Sequence, residues 1–129
     1  MILDTSSLVA ILATEPDSEP YIDVISHAPR CRMSAGNFLE LSIVIEGQLR
    51  ADALRQCDAL IRRIGIVIEP VTLDQAHAAH QAFHDSGQGR YPAALNFGDC
   101  FAYALAKITG EPLLFKGEDF KKTDIVSAL

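Results

Sequence analysis

Four short apolar runs set between helical patterns most constrain what this chain can fold into. Met1-Ile2-Leu3, Cys31-Arg32-Met33, Ile66-Val67-Ile68 and Leu113-Leu114-Phe115 read as short buried strands. The segments between them read as helices. Leu8, Val9, Ile11 and Leu12 follow a polar cap in Asp4-Thr5-Ser6, and Ile22 and Ile25 follow Pro16-Asp17-Ser18-Glu19-Pro20 and stop at Pro29. Ser34 caps a helix carrying Phe38, Leu39, Leu41, Ile43 and Ile45 and ending near Gly47, and Leu54, Cys57, Ile61 and Ile64 form an amphipathic stripe closed by Gly65. Thr72-Leu73-Asp74-Gln75 has the capping-box pattern and starts a helix to about His84. After Asn96, the stripe Phe97, Cys100, Phe101, Ala104, Leu105 and Ile108 runs to Gly110 and Pro112. Strands alternating with helices are joined by right-handed crossovers into a parallel sheet covered on both faces. The expected fold is therefore α/β, a three-layer α/β/α sandwich with a central parallel sheet. Ser86 to Leu95 carry the strongest loop signal, and Asp124-Ile125-Val126 reads as an edge strand.

A chain of 129 residues is long enough to bury a core without disulfides or structural metal, and one domain over residues 1–129 is expected. With 49% hydrophobic and 22% charged residues spread along its length, it matches an ordinary folded protein rather than a disordered one. Cys31, Cys57 and Cys100 form an odd set without metal-ligand spacing and read as reduced core residues. The first apolar stretch is cut by Asp4, too early for a signal peptide or membrane span, so a cytoplasmic protein with no membrane association is expected. A net charge of −6 argues against nucleic-acid binding by blanket phosphate neutralisation. It leaves room for a nuclease, because carboxylates gathered around a cation reverse the local sign where a phosphate docks.

Asp4, Glu40 and Asp99 each stand just after a strand or in the first turns of a helix, positions this kind of fold gathers at the carboxyl ends of its strands. Three carboxylates suit a hard divalent ion such as Mg²⁺ or Mn²⁺. Each also has a purely local explanation: Asp4 as a helix cap, Asp99 near N3 where an acid favours the helix dipole, and Glu40 as a solvated helix residue.

Four ordered blocks resemble the successive motifs of VapC toxins of the PIN-domain ribonuclease family. They are Asp4-Thr5-Ser6-Ser7-Leu8-Val9-Ala10; Ser34 to Glu40; Leu95-Asn96-Phe97-Gly98-Asp99-Cys100-Phe101-Ala102-Tyr103-Ala104; and Leu114-Phe115-Lys116-Gly117-Glu118-Asp119-Phe120 with Thr123-Asp124-Ile125. The resemblance spans nearly the whole chain. It implies that Asp4, Glu40 and Asp99 bind Mg²⁺, with Mn²⁺ as a substitute, and that Ser6 supports the cluster. It also implies hydrolysis of an RNA phosphodiester, in tRNA or ribosomal RNA, by metal-activated water, arresting translation. A cognate VapB antitoxin is implied as partner, its C-terminal segment over the active-site groove, together with a toxin homodimer and a heterotetramer or larger assembly with the antitoxin. Where many PIN domains carry a fourth acid this chain has Gly117, and Asp119 is the substitute, with a helix cap as its other explanation.

Arg90 and Lys116, with Lys121 and Lys122, are candidate contacts to substrate phosphates, and ordinary solvation explains them equally well. The segment with Gly87, Gly89, Arg90 and Tyr91 is a candidate RNA-contacting loop. His77, His80 and His84 share a helix face at metal-ligand spacing, but no further ligand accompanies them and histidines on a half-exposed helix are common. The competing class is a Mg²⁺-binding, receiver-like signalling domain. It lacks an acidic pair after the first strand and an acceptor aspartate after Ile66-Val67-Ile68, and Ser6 takes the second acid's place in an Asp-x-Asp phosphatase. Retention of all three principal acids argues against a metal-free scaffold.

Overall fold

A computed structural model describes residues 1–48, 52–86 and 95–129. Four strands and six helices alternate along the described chain. They are β1 (Ile2–Leu3), α1 (Thr5–Leu12), α2 (Glu19–His27), β2 (Arg32–Ser34), α3 (Ala35–Gln48), α4 (Ala53–Ile64), β3 (Val67–Glu69), α5 (Leu73–Ser86), α6 (Phe97–Thr109) and β4 (Leu113–Leu114).

The sheet order is β3-β2-β1-β4 and every pairing is parallel. Ile2 stands opposite both Arg32 and Leu113, so β1 lies in the interior of the sheet. The chain steps from β1 to β2 and β3 on one side and returns to β4 on the other. That reversal opens a crevice beyond the carboxyl ends of β1 and β4, where Asp4 and Lys116 follow their strands.

Alternation along the strands divides the core between two faces. Leu3, Met33 and Leu114 pack with Leu8, Leu12, Ile25, Leu41, Ile45 and Cys57 from α1 to α4. Ile2, Leu113 and Phe115 pack on the opposite face with Ala82, Cys100, Ala102, Leu105 and Ala106 from α5 and α6. This is the three-layer sandwich expected from the sequence. All three cysteines are free and buried, and burial pushes the Cys100 thiol up to about 11. Among the described residues no helix is long and apolar enough to cross a membrane.

Helix ends follow the local signals. Gly65 and Gly110 close α4 and α6 in the left-handed conformation at φ 72° and 68°. The Asn96 side chain accepts from the Asp99 N–H at 2.9 Å, while the Asp99 carboxylate accepts from the Asn96 N–H at 2.8 Å, a reciprocal capping box. Asn96→Ala is expected to lower stability by about 1 kcal/mol in urea unfolding, and Asn96→Ser to keep most of it.

Three expectations are corrected. The edge strand at Asp124-Ile125-Val126 is replaced by a single parallel bridge between Leu113 and Ser127, held by Leu113 N–H to Val126 O and Ala128 N–H to Leu113 O, both 2.9 Å. The stripe on α3 is split: Leu41 and Ile45 are buried, whereas Leu39 and Ile43 are 62% and 61% exposed. Phe97, assigned to the inward face of α6, is 77% exposed, its ring set edge-on to Phe101 of the same helix with centroids 4.9 Å apart. The loop signal at 87–94 and Arg90 within it lie outside the described residues.

Candidate active site

Asp4 leaves β1 in an extended conformation (φ −83°, ψ 155°) and caps α1, its carboxylate accepting from the Ser6 N–H at 2.9 Å and from the Ser6 hydroxyl. The Ser6 hydroxyl in turn accepts from the Lys116 N–H at 2.9 Å. The segment after β4 is thereby fastened to the segment after β1. Asp4 is buried, and burial is the main reason its carboxyl is pushed up to about 6; the neighbouring Glu40 charge adds to the rise and the Ser6 donors oppose it.

Glu40 lies on α3, which packs between α1 and α6. The Thr5 hydroxyl donates to Glu40 Oε2 at 2.6 Å and Asn37 Nδ2 to the same oxygen at 3.3 Å. Asn37 Nδ2 also donates to the Gly98 carbonyl at 3.0 Å. The other side of the carboxylate rests on Gly98, where a Cβ would stand 2.2 Å from Glu40 Oε1. Glu40 thus touches the residue immediately before Asp99.

Asp99 is buried in the first turn of α6, and its carboxyl is pushed up to about 7. Burial is the leading cause; the charges of Asp4, Asp119 and Glu40 add to it, and the Asn96 N–H works against it. Asp99 therefore feels three other carboxylates here, and both it and Asp4 are buried and raised. Asp119 is exposed at the rim, while the adjacent Glu118 turns to Lys121 at 2.6 Å. Among the described residues no three Asp, Glu, His or Cys side chains stand at the spacing of a shared ion's ligands, the three α5 histidines included. The donor set nevertheless fits a hard divalent cation: it is all oxygen, its charges raise the proton affinity of Asp99, and among the described residues the buried Asn37 Oδ1 of the amide beside Glu40 has no hydrogen-bond partner.

The basic candidates fare differently. The Lys116 ammonium is bound by Glu15 and by Asp17, the latter at 2.8 Å, and both hydrogen bonds raise its proton affinity. Its side chain therefore ties the β4 turn to the end of α1 rather than facing a phosphate, and its backbone N–H supports Ser6. Thr5, Asn37 and Gly98 were not singled out from sequence. A signal existed for one of them: an asparagine inside a helix, one turn before an acid, is costly unless its amide is engaged.

The PIN domain family model matches residues 1–126. The ribonuclease VapC of Mycolicibacterium smegmatis is 46% identical over 127 residues, covering 98% of each chain. Ribonuclease VapC30 of Mycobacterium tuberculosis is 45% identical over 127 residues, covering 98% of this chain and 97% of its own. The chain belongs to the PIN-domain family and, within it, to the VapC ribonucleases. Solved structures agree in fold. Mycobacterium tuberculosis VapC20, a sarcin–ricin loop cleaving toxin, matches with a TM-score of 0.78 at 18% identity, over 97% of this chain and 95% of its own. FitAcB from Neisseria gonorrhoeae matches at 0.72 and 16% identity, over 98% and 94%.

Proposed function

We propose that this chain is the toxin of a VapBC pair, a single catalytic domain over residues 1–129 that cleaves RNA with a divalent cation, Mg²⁺ or Mn²⁺. The observation that supports the reading is that the buried Asp99 lies near enough to Asp4, Glu40 and Asp119 for their charges to raise its proton affinity, with the buried Asp4 raised as well. Buried like charges persist at such cost where a ligand of opposite charge relieves it. Asp4, Glu40 and Asp99 would hold the cation, with Asp119 at the rim. Bound there, it supplies Lewis acidity toward a phosphoryl oxygen and toward water. Ser6 orients Asp4, Thr5 and Asn37 orient Glu40, and the Asn96 cap orients Asp99. Fixing three carboxylates before substrate arrives avoids reorganisation during the reaction.

The substrate is a tRNA or ribosomal RNA cleaved within the cytoplasm, and the partner is a VapB antitoxin. The exposed Leu39, Ile43 and Phe97 supply apolar surface for protein contacts, in keeping with a homodimer and a heterotetramer with antitoxin. The test is growth and RNA integrity. Expressing the chain alone should arrest growth and yield discrete RNA fragments. Asp4→Asn should abolish both, as should co-expression of a cognate VapB antitoxin. Toxicity undiminished by Asp4→Asn would refute the mechanism.

A further inference from the structure

We propose that Asn37 is a positioning residue for the nuclease reaction: its amide holds the Glu40 carboxylate against the first turn of α6, and Gly98 leaves the space that carboxylate occupies. The inference rests on the nuclease reading above. Asn37 is completely buried on α3, one turn before Glu40. Packing gives no reason for an asparagine there, because a buried helix position favours an apolar side chain with better helix propensity and no amide to desolvate. Its contacts are all with the site. Nδ2 donates to the Gly98 carbonyl at 3.0 Å and to Glu40 Oε2 at 3.3 Å, and lies 3.5 Å from Thr5 Oγ1. Thr5 Oγ1 donates to the same glutamate oxygen at 2.6 Å. Two donors, one from the residue after Asp4 and one from α3, thus fix one oxygen of Glu40.

The second oxygen is fixed by shape. A Cβ at position 98 would stand 2.2 Å from Glu40 Oε1, 2.6 Å from Cδ and 2.7 Å from Oε2, closer than side-chain carbons come to any of these atoms. Only glycine lets the carboxylate lie on the helix turn that carries Asp99. Asn37 also grips that turn through the Gly98 carbonyl, so one amide sets the separation of two acids that come from different helices.

The experiment uses the full chain with Asn37→Ala, Gly98→Ala, Glu40→Gln and the Asn37→Ala/Glu40→Gln pair. Cleavage of a single-stranded oligoribonucleotide gives kcat and KM, the free-ion resonance of added Mn²⁺ gives metal affinity, and thermal melting monitors the fold. Asn37→Ala and Gly98→Ala should each lower kcat and Mn²⁺ affinity by roughly 10- to 100-fold, the effect of disturbing groups that orient metal ligands. KM should change little. In the Glu40→Gln background, Asn37→Ala should cost no further Mn²⁺ affinity, because the group it acts through is gone. Equal losses in both backgrounds, or losses that track melting temperature alone, overturn the proposal. Should Asn37→Ala fail to fold, Gly98→Ala decides, since the atoms it crowds are the end of a flexible side chain that can swing away. A parent protein that neither binds Mn²⁺ nor cuts RNA overturns the nuclease reading itself. A parent that does both, with Asn37→Ala indistinguishable from it, overturns only the role of Asn37.

Discussion

Asp99→Asn is expected to reduce RNA cleavage by a factor on the order of 100 to 1000, the scale seen when one preorganised charge-stabilising group is removed, while making the metal-free protein more stable at pH 8. Loss of function with gain of stability separates a site residue from a structural one. The amide retains an oxygen for the Asn96 N–H, which now meets the carboxylate at 2.8 Å, so the cap on α6 survives. What disappears is a buried negative charge facing Asp4, Glu40 and Asp119. Single-turnover cleavage assays beside chemical denaturation at pH 8 check both halves. An Asp99→Asn protein that is inactive and also less stable would indicate that the carboxylate serves the fold.

The stability of the metal-free protein is expected to fall as pH rises from 5 to 8, the reverse of a protein whose acids are held in salt bridges. The carboxyls of Asp4 and Asp99 stand at about 6 and about 7, both above the ordinary 3.8. Between about pH 4 and pH 7 the folded state therefore binds more protons than the unfolded state, and each step up in pH favours unfolding. One pKa unit corresponds to about 1.4 kcal/mol. Because the two acids titrate as a coupled set, the combined penalty is a few kcal/mol, a drop in melting temperature on the order of 10 °C for a chain of this size. Added Mg²⁺ or Mn²⁺ at pH 8 should restore most of it, since a ligand that binds only the folded state stabilises it by mass action. Melting curves at pH 5, 6.5 and 8, with chelator and with each ion, provide the check. A flat profile in chelator would mean the carboxylates are not desolvated as the structure has them.

Local signals carried most of the secondary structure and little of the site's support. The strand before Asp4, the Asn96 cap with Asp99 at N3, and the glycine stops at 65 and 110 are all written within a few residues, and the folded chain follows them. The parallel sheet followed from the alternation of elements. Its order, with β1 between β2 and β4, depends on contacts far apart in sequence. Apolar periodicity marked Leu39, Ile43 and Phe97 as inward because it cannot tell a core face from a face left for a partner. Lys116 looked like a phosphate contact until its two acidic neighbours, Glu15 and Asp17, came from about a hundred residues away. Asn37 and Gly98 escaped notice for a similar reason. Their worth lies in contacts between α3 and α6, such as that of Asn37 with Gly98, 61 residues apart, and neither residue advertises chemistry by itself.

The hydrogen bond from the Lys116 backbone to Ser6 spans 110 residues and joins nearly the two ends of the chain. During synthesis, Asp4 emerges from the ribosome well before the strand that flanks it and the amide that steadies its serine, which is 110 residues from that serine. A half-made copy, even one with its first helices formed, has an open edge where the pocket wall belongs. Until residues 113–116 have been made, the Ser6 hydroxyl lacks the amide it accepts from and Asp4 lacks one wall of its surroundings.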